Sequence, residues 1–185
     1  MAVPGTGSSG ERRHVVLVGL MGSGKTTTGQ ILARHLHRPL FDSDQLVEAR
    51  TGRTVREIFE ADGEDAYRTL ETAALLDALA EPEPAVIAAA GGVVIRDENR
   101  QALRRSGDLV VWLQADLGVL TERATRGTHR PLLDRDPAAM MATMAHDRDA
   151  WYREVADAIV ETTNRPPEEI GAEIASLLIG QDDRP

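Results

Sequence analysis

The residues with the clearest chemical meaning form one glycine-rich segment, Gly19-Leu-Met-Gly-Ser-Gly-Lys-Thr26. Its spacing, G-x-x-x-x-G-K-[ST], is typical of a loop whose backbone N–H groups surround phosphate oxygens at the start of a helix. In such a loop the lysine contacts the β- and γ-phosphates, and the last hydroxyl binds Mg²⁺. A glycine-rich turn without a ligand is the alternative, but the complete pattern argues against it. The predicted nucleotide contacts are Gly22, Ser23, Gly24, Lys25, Thr26 and Thr27.

Lys25 is the only lysine of the chain, although Lys and Arg together number 21. An ammonium group is a compact point charge against phosphate, whereas the planar guanidinium binds in a different geometry. A GC-rich genome accounts for the excess of arginine but not for the position of the single lysine. The position therefore supports a phosphate-binding role for the loop.

Two carboxylates, Asp42 and Asp44, follow the second predicted strand, at the sheet edge where open α/β folds bind ligands. In an extended chain residues i and i+2 point the same way, so we expect both carboxylates to face one site. Phosphoryl transfer requires a carboxylate near Mg²⁺ and a group that orients the acceptor hydroxyl. A helix N-cap is the alternative role, and the sequence leaves both open.

Several arginines are candidates for anion binding, but their spacing alone does not assign them. Arg68 is followed by Glu71 three residues later, which predicts a surface ion pair. Arg153 lies near a predicted helix end, where a basic residue suits the helix dipole. The pair Gly91-Gly92 is more suggestive, because glycine after a buried strand lets the backbone approach a ligand closely.

Short apolar runs alternate with helical segments along the chain. This order predicts a parallel sheet covered by helices on both faces. The predicted strands are 14–18, 39–41, 85–90, 109–113 and 158–160. The predicted helices are 25–36, 55–61, 65–80, 97–105, 117–126, 137–155 and 167–178.

Length and composition predict one domain. The chain has 185 residues, no cysteine and a formal net charge of −9. Disulfides and thiolate metal sites are thus excluded, and general binding to nucleic acid or anionic membranes is disfavoured. We expect a cytoplasmic monomer with a flexible leader at 1–13 that lacks the apolar stretch of a signal peptide. A single folded domain would span 14–179, followed by a tail at 180–185.

From His14 to about Leu178 the chain resembles the shikimate kinases. Besides the phosphate loop, the segments that carry the resemblance are Asp42-Ser-Asp44, Thr51-Gly-Arg53, Ile58-Phe59, Asp62-Gly-Glu64, Tyr67-Arg68 through Glu71, Gly91-Gly92, Arg130-Pro-Leu-Leu133 and Tyr152-Arg153. The resemblance implies a three-layer α/β P-loop kinase fold with a five-stranded parallel sheet, so that 14–179 would be one kinase domain with a mobile lid at about 123–136. It also implies ATP-dependent phosphorylation of shikimate, with ATP and Mg²⁺ as cofactors.

The same resemblance implies a role for individual residues. Asp44 would bind the ring hydroxyls of the acceptor and orient the one that attacks. The acceptor carboxylate would be held by Arg68, Arg153 and the Gly91–Gly92 backbone. Arg130 would close from the lid onto the phosphates, and Arg123 would stack on adenine.

The remaining roles concern the metal and the apolar wall. Asp42 and Thr26 would hold Mg²⁺, while Phe59 and Tyr67 would line the ring of the acceptor. One position departs from the family pattern of three glycines, because Ala90 replaces the first. Because the methyl group of Ala90 could change the acceptor pocket, one alternative is a kinase that acts on another carboxylated polyol or cyclitol, such as gluconate. A nucleotide-binding regulatory protein without turnover is the alternative from another class.

Overall fold

The computed structural model describes residues 14–126 and 136–180. The strands of this part are β1 (Val15–Val18), β2 (Leu40–Asp42), β3 (Val86–Ala88), β4 (Leu109–Gln114) and β5 (Ala158–Glu161). The helices are α1 (Lys25–Leu36), α2 (Ser43–Thr51), α3 (Val55–Asp62), α4 (Glu64–Leu79), α5 (Asp97–Arg105), α6 (Leu117–Thr125), α7 (Pro137–Val155) and α8 (Pro167–Gly180).

The five strands form one parallel sheet in the order β2-β3-β1-β4-β5. This confirms the predicted fold class. Because all strands run the same way, their carboxyl ends meet at one edge of the sheet. The phosphate loop, Asp42 and the Gly91–Gly92 turn follow three neighbouring strands at that edge, where such folds bind their ligands.

The central strand β1 is buried on both faces, which explains its continuous apolar sequence. Val16 and Val18 pack in a cluster with residues of α4, α5 and α7. Val15 and Leu17 point the other way and pack against α1 and α8. Side chains that alternate across a strand thus anchor helices on both faces of the sheet.

Helix α2 was absent from the sequence prediction, and its presence corrects the interpretation of the acidic pair. The helix begins at Ser43, directly after Asp42, so Asp44 lies in its first turn. Asp42 and Asp44 are therefore not two residues of one extended strand, and the expectation that strand geometry orients both carboxylates alike is wrong. In contrast, the break predicted between the next two helices is confirmed. Gly63, with a φ of 84°, lies between the end of α3 and the start of α4.

The predicted leader at 1–13, most of the lid at 123–136 and the end of the tail lie outside the described residues. These boundaries stay predictions. Within 14–126 and 136–180, no helix has the length and apolar character that crossing a membrane requires.

Candidate active site

A cavity of about 590 Å³ opens at the carboxyl edge of the sheet. Its volume suits a small-molecule site. The phosphate loop forms one end, and residues of α2, α3, α4 and α7 form the other. The polar side chains along its wall include Lys25, Thr26, Thr27, Asp42, Asp44, Glu48, Tyr67, Arg68, Glu71, Arg123 and Arg148.

The phosphate loop has backbone conformations that favour glycine. Gly22 and Gly24 have φ values of 82° and 92°, in the region that side chains disfavour. A Cβ at Gly22 would also lie 2.5 Å from the carbonyl oxygen of Leu120. Gly24 precedes α1 without a side-chain cap, so the first N–H groups of that helix have no acceptor within it. These donors are available to phosphate oxygens.

The Lys25 ammonium folds back over the loop. It donates to the carbonyl oxygens of Gly19 and Leu20, at 2.7 and 2.9 Å. The side chain also lines the cavity. A γ-phosphate in the loop would compete with these carbonyls for the ammonium, because a charged acceptor makes the stronger hydrogen bond.

Thr26 and Asp42 meet at the mouth of the loop, where the Thr26 hydroxyl donates to Asp42 Oδ2 over 2.7 Å. The other oxygen of Asp42, Oδ1, accepts from the backbone of Asp44 and Gln45 and caps α2. The two roles that the sequence left open for this acidic segment are thus compatible, since different oxygens of Asp42 serve them.

The pairing of Thr26 with Asp42 fits a magnesium ion bound mainly by nucleotide phosphates and water. Among the described residues no three His, Cys, Asp or Glu side chains form a metal-binding group. Mg²⁺ commonly takes only one or two protein ligands beside substrate phosphates. The donor set is consistent with that arrangement.

Asp44 faces the cavity from the first turn of α2 and accepts a hydrogen bond at Oδ1 from the Tyr67 hydroxyl. The enclosing walls raise the pKa of Asp44 above its ordinary value, and the hydrogen bond from Tyr67 opposes this shift. The residue is nevertheless exposed to the open cavity, and water there also favours the ionised form.

Arg68 is held in a fixed position on α4. Its guanidinium pairs with Glu71 and with Glu64, each at 2.8 Å. The surface ion pair expected for Arg68 and Glu71 is in fact buried, since the Arg68 and Glu71 side chains are 7% and 0% exposed. Burial raises the pKa of Glu71 to about 7, although Arg68 opposes the shift.

The guanidinium of Arg68 also requires a glycine beside it. A Cβ at Gly92 would lie 1.9 Å from Arg68 Nη1. Such a contact is impossible, so Gly92 provides the space in which the guanidinium lies. The approach of the glycine backbone to a ligand, which the sequence predicts, stays a prediction.

Arg148 is a site residue that the sequence interpretation missed. It is 7% exposed, lines the cavity and donates from Nη1 to the Gly91 carbonyl over 3.1 Å. Tyr152, one turn later on α7, donates to the same oxygen over 2.5 Å. Among the described residues Arg148 forms no ion pair with a carboxylate. The sequence contained one indication of this role: Arg148 precedes Tyr152 by four residues, and residues at that spacing share a helix face.

The structure does not bring Arg153 into the cavity. Its side chain is 54% exposed and pairs with Asp149 at 2.7 Å. Its guanidinium lies over the ring of Trp112, 5.1 Å from the centroid. The reason is helical geometry, since Arg153 shares a face with Asp149 rather than with Arg148 and Tyr152.

Arg123 lines the cavity at the end that the phosphate loop forms. Its Nη2 donates to the carbonyl of Thr162, after β5, and the Thr162 hydroxyl donates to the Ser23 carbonyl. Thr162 thus joins the Arg123 side chain to the phosphate loop. Ser23 itself is buried and is not among the described residues of the cavity wall. Arg130 lies outside the described residues.

Ala90 forms part of the cavity wall at the end of β3. Among the described residues only His37 and Asn164 combine a side chain with a positive φ. Alanine at position 90 is therefore unstrained, and its methyl group narrows the site without distorting the backbone.

Comparison with known proteins identifies the family of this chain. The family model for shikimate kinase matches residues 21–179. A shikimate kinase of Pseudomonas syringae pv. tomato is 43% identical over 167 residues, which cover 90% of this chain and 96% of that protein. One from Symbiobacterium thermophilum is 44% identical over 174 residues, covering 92% and 99%.

Solved structures show the same relationship. A shikimate kinase from Acinetobacter baumannii in complex with shikimate superposes with a TM-score of 0.89 at 34% identity, covering 94% of this chain and 96% of that one. A gluconokinase from Sinorhizobium meliloti, at a TM-score of 0.56 and 21% identity, shares the fold alone. The family model and the identities over most of the chain lead to one conclusion: this chain belongs to the shikimate kinase family.

Proposed function

We propose that this chain transfers the γ-phosphoryl group of ATP to a hydroxyl of shikimate. One observation carries the proposal: a single cavity joins a phosphate loop to a carboxylate, Asp44, and to two buried arginines, Arg68 and Arg148. Such a cavity suits an acceptor that carries both a hydroxyl and a carboxylate. The fold of the Acinetobacter baumannii shikimate kinase, which binds shikimate, supports this acceptor.

The nucleotide would occupy the end of the cavity near α1. The N–H groups from Gly22 to Thr27 would bind the phosphates, and Lys25 would reach the β- and γ-oxygens. Thr26 and Asp42 would hold Mg²⁺, which supplies neutralisation of phosphate charge. Arg123 would contact the base, and Arg130 would close onto the phosphates, as the family resemblance implies.

The acceptor carboxylate would lie between Arg68 and Arg148. Glu64 and Glu71 already orient Arg68, so little entropy is lost when it binds. The N–H groups of Gly91 and Gly92 donate to no acceptor among the described residues and are available to the same ligand. Phe59 and Tyr67 would form the apolar wall, with ring centroids 4.7 Å apart.

Asp44 would accept a hydrogen bond from the attacking hydroxyl. This orients one oxygen of the acceptor toward the γ-phosphorus, and proximity of this kind lowers the barrier without covalent participation of the protein. We also propose that the protein is a monomer and that it is located in the cytoplasm.

The test of the proposed function is ADP release by the purified protein with Mg-ATP, with and without shikimate. We expect a large shikimate-dependent rate, and shikimate phosphate as the product in mass spectrometry. Gluconate and a cyclitol carboxylate serve as comparison acceptors. A preference for one of these would reject shikimate, and ATP binding without turnover on any acceptor would favour a regulatory protein.

Replacing Arg148 with alanine is expected to raise the KM for shikimate by roughly 10- to 100-fold, the effect of losing one hydrogen-bonded charge. The KM for ATP should change much less, because Arg148 lies at the acceptor end. Steady-state kinetics in both substrates measure the difference.

Arg153→Ala is the matched control, since it removes the same group from a position of the same helix that does not line the cavity. We expect the acceptor KM of this variant to stay within about twofold of the original, as for other exposed ion pairs. A larger rise for Arg153→Ala than for Arg148→Ala would restore Arg153 as the acceptor ligand.

A further inference from the structure

Tyr67 is a wall residue whose hydroxyl has a specific partner. The residue lies on α4, is 3% exposed and donates to Asp44 Oδ1. An apolar wall for the acceptor ring requires only the aromatic ring. The hydroxyl therefore has a separate role, and its only hydrogen-bond partner among the described residues is Asp44.

Packing fixes the ring of Tyr67 independently of the hydroxyl. The ring lies against Phe59 at a tilt of 37°, and the Arg68 guanidinium lies over it, 5.3 Å from the centroid. Tyr67 also belongs to a buried cluster with Val47 and Ile58. Core packing thus fixes the position of the Tyr67 hydroxyl, and from that position the hydroxyl donates to Asp44.

The hydroxyl remains a donor under working conditions. Burial, and next the charge of Asp44, raise the pKa of Tyr67 above its ordinary value. An O–H that keeps its proton can only donate to an ionised carboxylate. The contact therefore has one direction, from Tyr67 to Asp44.

Asp44 depends on this contact for its orientation. Its Oδ2 accepts from no other described residue, and its backbone is in the first turn of α2 beside the cavity. With Oδ1 engaged, rotation about the last side-chain bond is restricted. Oδ2 is then the oxygen available to a ligand in the cavity.

We propose that Tyr67 is the positioning residue of Asp44: its hydroxyl holds Oδ1 and so presents Oδ2 to the attacking hydroxyl of the acceptor. This inference rests on the proposed function. As the new bond forms between the acceptor oxygen and the γ-phosphorus, the acceptor proton passes to Oδ2. The bond between the γ-phosphorus and its bridging oxygen breaks, and its electron pair leaves with ADP. Tyr67 keeps its own proton throughout.

The test is Tyr67→Phe, which removes one oxygen and retains the ring contacts with Phe59 and Arg68. We expect kcat to fall roughly 10- to 100-fold, corresponding to one hydrogen bond to a charged group. The KM for ATP and the midpoint of thermal unfolding should stay close to those of the original protein. A structural role would instead lower the unfolding midpoint.

A double-mutant cycle with Asp44→Asn shows whether Tyr67 acts through Asp44. We expect Tyr67→Phe to cause no further loss of kcat in the Asp44→Asn background, because the group it positions is gone. Phe59→Leu is the comparison variant: it alters the same aromatic wall without touching Asp44. Its effect should appear mainly in the acceptor KM and persist in the Asp44→Asn background.

Two results would overturn the inference. One is an unchanged kcat in Tyr67→Phe, and the other is an equal loss with and without the Asp44 carboxylate. The wild-type rate with shikimate tests the proposed function separately. The ratio of kcat in Tyr67→Phe to kcat in the original protein is measured with whichever acceptor supports turnover. The inference and the proposed function can therefore fail independently.

Discussion

Lys25→Ala is expected to reduce the rate of phosphoryl transfer by roughly 100- to 1,000-fold, the scale for losing one preorganised donor at a transition state. The proposed role of the ammonium is to bind the β- and γ-phosphates, and no other lysine exists in the chain to replace it. Coupled ADP-release kinetics and binding of Mg-ATP measure the loss.

The folded state should survive this change. The Lys25 ammonium donates to two backbone carbonyls of its own loop, and its side chain lines the cavity rather than filling the core. An unchanged far-ultraviolet spectrum and thermal midpoint are therefore the control. Retained activity in Lys25→Ala would remove the phosphate loop from the mechanism, and Lys25→Arg is expected to recover only part of the rate because the planar guanidinium differs in geometry.

Asp44→Asn is expected to lower kcat by roughly 100- to 10,000-fold, the range for removal of a group that accepts a proton during reaction. The amide has the shape of the carboxylate but cannot accept the proton of the attacking hydroxyl. The KM for ATP should change little, since the proposed partner of Asp44 is the acceptor hydroxyl. Single-turnover measurements with shikimate separate this chemical step from product release.

Asp65→Asn is the matched control for that variant. Its side chain is 97% exposed on α4 and pairs with Arg96 outside the cavity. The same change of carboxylate to amide there should leave kcat within about twofold, as for exposed ion pairs. A comparable loss in both variants would mean that Asp44 has no special place in the reaction.

The local parts of the site were predictable from the sequence. The phosphate loop is a contiguous segment in which glycine positions, lysine and hydroxyl determine the geometry, and α1 begins at Lys25 as expected. The fold class also followed from alternating apolar runs, because strands buried on both faces need helices on both sides. Helix α2 was missed, since only Ser43 and Val47 of its residues are buried and the apolar periodicity is weak.

The acceptor end required the tertiary structure. Arg148 and Arg153 are both on α7, and the rotation of that helix against the sheet decides which one faces the cavity. The burial of Arg68 with Glu71 likewise depends on how α4 packs over the Gly91–Gly92 turn.

The contact between Tyr67 and Asp44 shows the same division. Each residue type was recognisable in the sequence, and the resemblance gave each a place near the acceptor. Their hydrogen bond joins residues 23 positions apart, on α4 and α2. The sequence by itself determined the phosphate chemistry, because that chemistry is built from neighbouring residues. The acceptor chemistry was decided by the packing of helices, because only packing sets which side chains from distant segments meet.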